Sequence, residues 1–67
     1  MSIGEKIKKL RNEKEITQVE LAEAIYILKD TVSLWERGKA EPSLSNCILL
    51  ADYFDVTLDE LCGRCKK

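Results

Sequence analysis

The chain contains no histidine, one proline, three glycines and four aromatic residues among its 67 positions. Without histidine the commonest general base is missing, and the usual nucleophilic triads and a Cys₂His₂ zinc site are excluded, so no enzymatic activity is expected. Three cysteines are an odd number and far too few for the disulfide framework of a small secreted chain, which points to a reducing cytoplasm. The opening Met1-Ser2-Ile3-Gly4-Glu5-Lys6 runs straight into charged sequence, with no apolar core of a signal peptide. No run approaches the roughly 20 apolar residues of a membrane span, so a cytoplasmic chain with no membrane partner is expected. At this length one domain over residues 1–67 with one small core is expected, and a two-lobed active-site cleft does not fit.

What is present is helical. Gly4, Gly38, Pro42 and Gly63 punctuate the chain, and the stretches between them carry apolar residues at a helical period. Ile3, Ile7 and Leu10 stripe a charged helix over 3–14 that Ser2 and Glu5 cap as a box. Thr17 and Glu20 form a second capping box for a short helix over 18–25 with Leu21, Ala22 and Ile25 inward. Leu28, Val32 and Trp35 stripe a third helix over 28–36 that stops at Gly38, where a left-handed cap is easiest for glycine. Pro42-Ser43 opens a fourth over 43–54 bearing Leu44, Cys47, Ile48, Leu50, Ala51 and Phe54. Thr57 and Glu60 cap a last helix over 58–62 ended by Gly63. The expected fold is all-α, with five helices and short links.

Residues 17–38 carry the functional signal: two short helices joined by a turn of about three residues, the layout in which the second helix enters the DNA major groove. Thr17-Gln18, Leu21-Ala22, Val32-Ser33, Trp35-Glu36-Arg37-Gly38, Pro42-Ser43-Leu44, Leu50-Ala51 and Leu58-Asp59-Glu60-Leu61 stand at matching spacings over roughly residues 3–63. In this pattern the chain resembles the Cro/repressor-type (XRE, lambda-repressor-like) helix-turn-helix family of small bacterial and phage regulators. The resemblance implies a compact lambda-repressor-like domain whose positions Lys29, Asp30 and Ser33 reach base edges and whose Gln18 anchors the phosphate backbone. It also implies a structural Arg11–Glu36 salt bridge between the first and third helices.

A helical wheel independently puts Lys29, Asp30, Ser33 and Leu34 on the outer face of the third helix and Trp35 with the core residue Val32. Lys29 can donate to guanine O6 and N7, Ser33 can serve either base type, and Leu34 can meet a thymine methyl. Asp30 is repelled by phosphate unless it accepts from cytosine N4, and otherwise caps the helix. Thr17, Gln18, Arg37 and Lys39 are the phosphate candidates, Gln18 because a helix N-terminus favours anions, and Thr31 completes the candidate DNA-binding set. Each of these residues also fits an ordinary solvated face. Three departures from the family pattern stand out: Tyr26 and Asp55 occupy customary glycine positions, and Leu28 replaces a Ser cap. Tyr26 is therefore expected at positive φ, at a cost on the order of 1 kcal/mol.

Cys62-Gly63-Arg64-Cys65 is a C-x-x-C, but a zinc site needs four ligands and a redox pair needs a different context, so no metal and no cofactor are expected. Cys47 and Cys62 read as small core hydrophobes, and Cys65 as an exposed tail residue. Leu49 and Tyr53, one turn apart on the fourth helix, with Cys62 on the last, are the candidate homodimer surface. The resulting reading is a homodimeric, sequence-specific regulator, a repressor, that binds double-stranded palindromic operator DNA through helix 28–36. The alternative is an interaction module on the same scaffold, antitoxin-like or antirepressor-like, with a regulatory protein partner and weak or no DNA binding. The net charge of −1 does not oppose the first reading, because residues 1–15 hold five basic and three acidic side chains while the acids concentrate elsewhere.

Overall fold

Three of the helix starts are built from the same local device. Ser2 Oγ accepts from the Glu5 amide at 3.2 Å while Glu5 returns a carboxylate oxygen to the Ser2 amide at 2.9 Å. Thr17 and Glu20 repeat the exchange at 3.1 and 2.7 Å, and Thr57 and Glu60 at 3.0 and 2.8 Å. Each box satisfies two amides that a helix start would otherwise leave unpaired. A computed structural model describes residues 2–62, and within them these starts open α1 (Ile3–Glu13), α2 (Gln18–Ala24) and α5 (Leu58–Cys62). Ser43 caps α4 (Leu44–Phe54) by accepting from the Asn46 amide at 3.2 Å. Only α3 (Lys29–Glu36) starts on a residue with no side-chain acceptor, Leu28, which is the cap and not the first helical residue.

The helix ends share a device too. Glu15, Tyr26, Gly38 and Asp55 take φ values of 59°, 62°, 76° and 58°. In each case the next amide reaches back five residues, closing a six-residue loop: Ile16 to the Arg11 carbonyl, Ile27 to Ala22, Lys39 to Leu34 and Val56 to Ala51, at 2.9–3.2 Å. These are Schellman closures, and Ile16, Ile27 and Val56 press against the core beside them. Three of the four left-handed positions are not glycine, so the closures are made against backbone strain. The left-handed turn at Tyr26 agrees with expectation; the one at Glu15 carried no sequence signal.

α1 packs on α3 and α5, α2 on α3, and α4 on α5. Their shared interior consists of Ile7, Leu10, Leu21, Ala22, Ile25, Val32, Trp35, Cys47, Leu50, Ala51, Phe54 and Leu61. Three expectations for α4 and α5 are corrected. Leu44 and Ile48 point outward because α4 meets the core along Cys47, Leu50, Ala51 and Phe54, and Cys62 is exposed while Leu61 fills the core position. The expected roles of Gly63 and Cys65, and with them the C-x-x-C, lie outside the described residues.

Gly4 is not punctuation but a contact. It lies inside α1 and is buried, and a Cβ there would come within 1.9 Å of the Trp35 carbonyl oxygen. The first turn of α1 is thereby laid directly on the backbone at the end of α3. Gly4→Ala is expected to lower the stability by more than about 2 kcal/mol, read by chemical denaturation, since the obstacle is backbone rather than a movable side chain. Tyr26→Gly is expected to raise the Tm by about 4 °C or more, by removing strain at an exposed position. Acid should act on the caps. Backbone donation from Ser2 and Thr57 holds the Glu5 and Glu60 carboxyls below their usual 4.5, so their contribution is present above that value and lost as pH falls through and below it. A Glu5→Gln/Glu60→Gln variant, which keeps the acceptors but not the titration, should show a shallower fall of Tm between about pH 6 and pH 3.

Candidate nucleic-acid interface

Beneath the α2–α3 pair sits one nearly buried carboxylate. Glu36, at the end of α3, is 4% exposed at its side chain and faces Arg11 of α1, 13% exposed. Arg11 Nε donates to Glu36 Oε2 at 2.7 Å and Nη2 to Oε1 at 3.1 Å, a two-pronged pair, while Nη1 donates to the Ile16 carbonyl at 2.9 Å. Donating to the Glu36 carboxylate pushes the Arg11 guanidinium further above its already high range. Gln18, the first residue of α2, adds a third donor: its Nε2 reaches Glu36 Oε1 at 3.1 Å. One carboxylate thus ties α1, α2 and α3 together. The Arg11–Glu36 contact was expected; the part played by Gln18 was not, because nothing in the spacing of positions 18 and 36 marks a contact between two helices.

The side chains expected to meet DNA divide accordingly. Lys29 and Asp30 are exposed on the first turn of α3, Leu34 is exposed one turn further on, and Arg37 and Lys39 are exposed just beyond its end. Thr31 and Ser33 are half-buried. Arg37 bends back, with Nε donating to the Ser33 carbonyl at 3.4 Å. Thr17 is exposed, its oxygen accepting within the α2 capping box, and its hydroxyl proton is left to donate outward. Gln18 is half-buried with one amide hydrogen on Glu36, leaving a second hydrogen and its carbonyl oxygen. Trp35 is in the core. The outer face of α3 therefore presents Lys29, Asp30 and Leu34 foremost, with Ser33 set deeper.

Two exposed apolar residues stand at the start of this face, Tyr26 at 92% and Leu28 at 74%; Leu28, expected on the apolar stripe with Val32 and Trp35, does not share it because it is the extended cap before α3 rather than a turn of the helix. Their departure from the family pattern was visible, their exposure was not.

A groove on the outer face of α1, lined by Glu5, Lys8, Lys9, Asn12 and Glu13, is open to solvent. Among the described residues no three potential metal ligands gather. Burial pushes the Cys47 thiol up, with neighbouring Cys62 a lesser cause, so it is a poor nucleophile. Tyr53 of the candidate dimer surface is half-buried, edge-on to Phe54 with ring centroids 5.3 Å apart, and Lys14 Nζ lies 5.3 Å from its ring centre. Leu49 is exposed beside Ile48.

Comparison with known proteins gives a consistent result. A family model described as helix-turn-helix matches residues 7–61. The HTH-type transcriptional activator BcrR of Enterococcus faecalis is 39% identical over 61 residues, which cover 91% of this chain and 30% of that protein. The cryptic phage CTXphi transcriptional repressor RstR of Vibrio cholerae is 33% identical over 64 residues, covering 96% of this chain and 57% of that one. The chain thus spans from about a third to somewhat over half the length of these relatives. The structure of the P22 c2 repressor protein in complex with synthetic operator 9T superposes with a TM-score of 0.87 at 27% identity, over 92% of this chain and 94% of that chain.

The buried pair sets a measurable expectation. Arg11→Met leaves a buried carboxylate without its cation and should cost about 3–5 kcal/mol in urea denaturation, most of what a domain this small has. Arg11→Met combined with Glu36→Leu should recover a large part of that loss.

Proposed function

We infer that this chain, which belongs to the Cro/repressor-type, lambda-repressor-like helix-turn-helix family of DNA-binding transcription regulators, is a sequence-specific DNA-reading head that binds an operator as a homodimer and represses transcription. The observation that carries this reading is the outward face of α3: no described element covers it, yet the helix beneath is held by the three-way contact at Glu36. A helix that is fixed underneath and free on top can enter the major groove without rearranging.

In this reading Lys29 donates to guanine, Ser33 and Leu34 read from the next turn, and Asp30 selects cytosine through its N4 amine. Thr31 lies between them as a close van der Waals neighbour of the bases. Thr17, Gln18, Arg37 and Lys39 hold phosphates at the two edges, with Gln18 oriented for it by Glu36. Second copies pair through α4 and α5 at Leu49 and Tyr53, on helices that also expose Leu44, Ile48 and Leu58. Cys62 lies at the end of that surface. Two such heads require half-sites about one helical turn apart, hence a palindrome. The free thiols of Cys47 and Cys62 fit a reducing cytoplasm.

Selection from a randomised duplex pool, followed by gel shift over a salt series, tests this. Enrichment of a palindrome, with affinity falling steeply as salt rises, is the expected result. Lys29→Ala should weaken binding about tenfold or more and relax one base position, whereas Lys39→Ala should weaken all sequences alike and flatten the salt slope. A pool that stays unenriched would favour the protein-interaction module, for which the exposed Tyr26 and Leu28 would be the contact.

A further inference from the structure

The turn between α2 and α3 breaks two local rules at once. Tyr26 holds a left-handed backbone at φ 62°, a conformation that disfavours any residue with a Cβ. Leu28 occupies the cap of α3 and offers its amides no acceptor, whereas all four other helix starts have a Ser or Thr oxygen in that role. Neither residue is compensated by burial, since the two side chains are 92% and 74% exposed. Within the chain itself, then, each lowers stability without return. Local penalties that gather at one exposed point mark a site where something outside the fold supplies the compensation.

Position decides what that is. Leu28 immediately precedes Lys29 at the N-terminal end of α3, and it is the N-terminal end of a recognition helix that meets base edges. Its branched apolar side chain has no hydrogen-bonding use there. The one apolar feature of a major-groove floor is the C5-methyl group of thymine. Exposed Lys29 follows it in the chain and supplies the attraction that brings this corner against a polyanion.

We propose that Leu28 is a specificity-determining residue that reads a thymine methyl at the edge of the half-site, and that the α3 cap has been given up for that contact. The inference rests on the DNA-reading function proposed above and adds a residue and a chemical group to it. It predicts opposite changes in stability and recognition from one substitution. Leu28→Ser restores a cap, so the Tm should rise by about 4 °C while the thymine preference disappears.

The test uses the full chain and the duplex enriched from the random pool, with each thymine replaced in turn by deoxyuridine, which removes only the methyl. For the unsubstituted protein, one uracil position per half-site should weaken binding about fourfold, the worth of one buried methyl group. For Leu28→Ser, folded and at higher Tm, the same replacement should leave affinity unchanged. If the unsubstituted protein is indifferent to every uracil, or if Leu28→Ser keeps the methyl dependence, the role of Leu28 is overturned while the DNA-reading function stands. If no duplex is enriched at all, both fall together.

Discussion

Everything on the α3 side of the molecule depends on burying a single carboxylate. Glu36 is almost inaccessible, and a charge in that position is tolerable only if its oxygens are filled. Arg11 fills them from α1 with a planar fork, and Gln18 completes them from α2. Because the three donors and acceptors come from three helices, satisfying the charge and fixing the angles between the helices are the same event. Replacing any of these helices' registers by one residue would rotate a donor away and leave the carboxylate bare.

The structure also economises on sequence. Three of its five helices begin with the same Thr-or-Ser to Glu exchange, and four end with the same six-residue closure. These devices are local, and this is why they were legible: a cap involves residues three apart, and the sequence states them directly. The capping boxes, the terminator at Gly38 and the left-handed Tyr26 could all be read in advance. Glu15 could not, since its strain is set by where α1 must stop to let Ile16 reach the core, a tertiary demand.

What escaped was whatever joined distant positions. The contact of Gly4 with the Trp35 carbonyl links residues 31 apart, and the hydrogen bond of Gln18 to Glu36 spans 18, and neither leaves a periodic trace. The apolar richness of α4 misled in a different way. With apolar residues on more than one face, its pattern does not say which of Leu44, Ile48 and Leu50 is inside, and only Leu50 is. The candidate interface was legible as a helix face from the wheel, but the depth of each side chain on it, with Ser33 lower and Leu28 proud, required coordinates.

The seating of Gly4 on the end of α3 bears on how encounters proceed. With the first turn of α1 against the Trp35 carbonyl and Arg11 on Glu36, two points of one rigid helix brace the C-terminal end of α3. The ordering entropy of that helix is spent during folding, before any partner arrives. Whatever meets the outer face docks against a helix whose C-terminal end is already fixed. Association is then limited by diffusion and orientation, much the same for good and poor partners, and discrimination between them is expressed in how long each complex lasts.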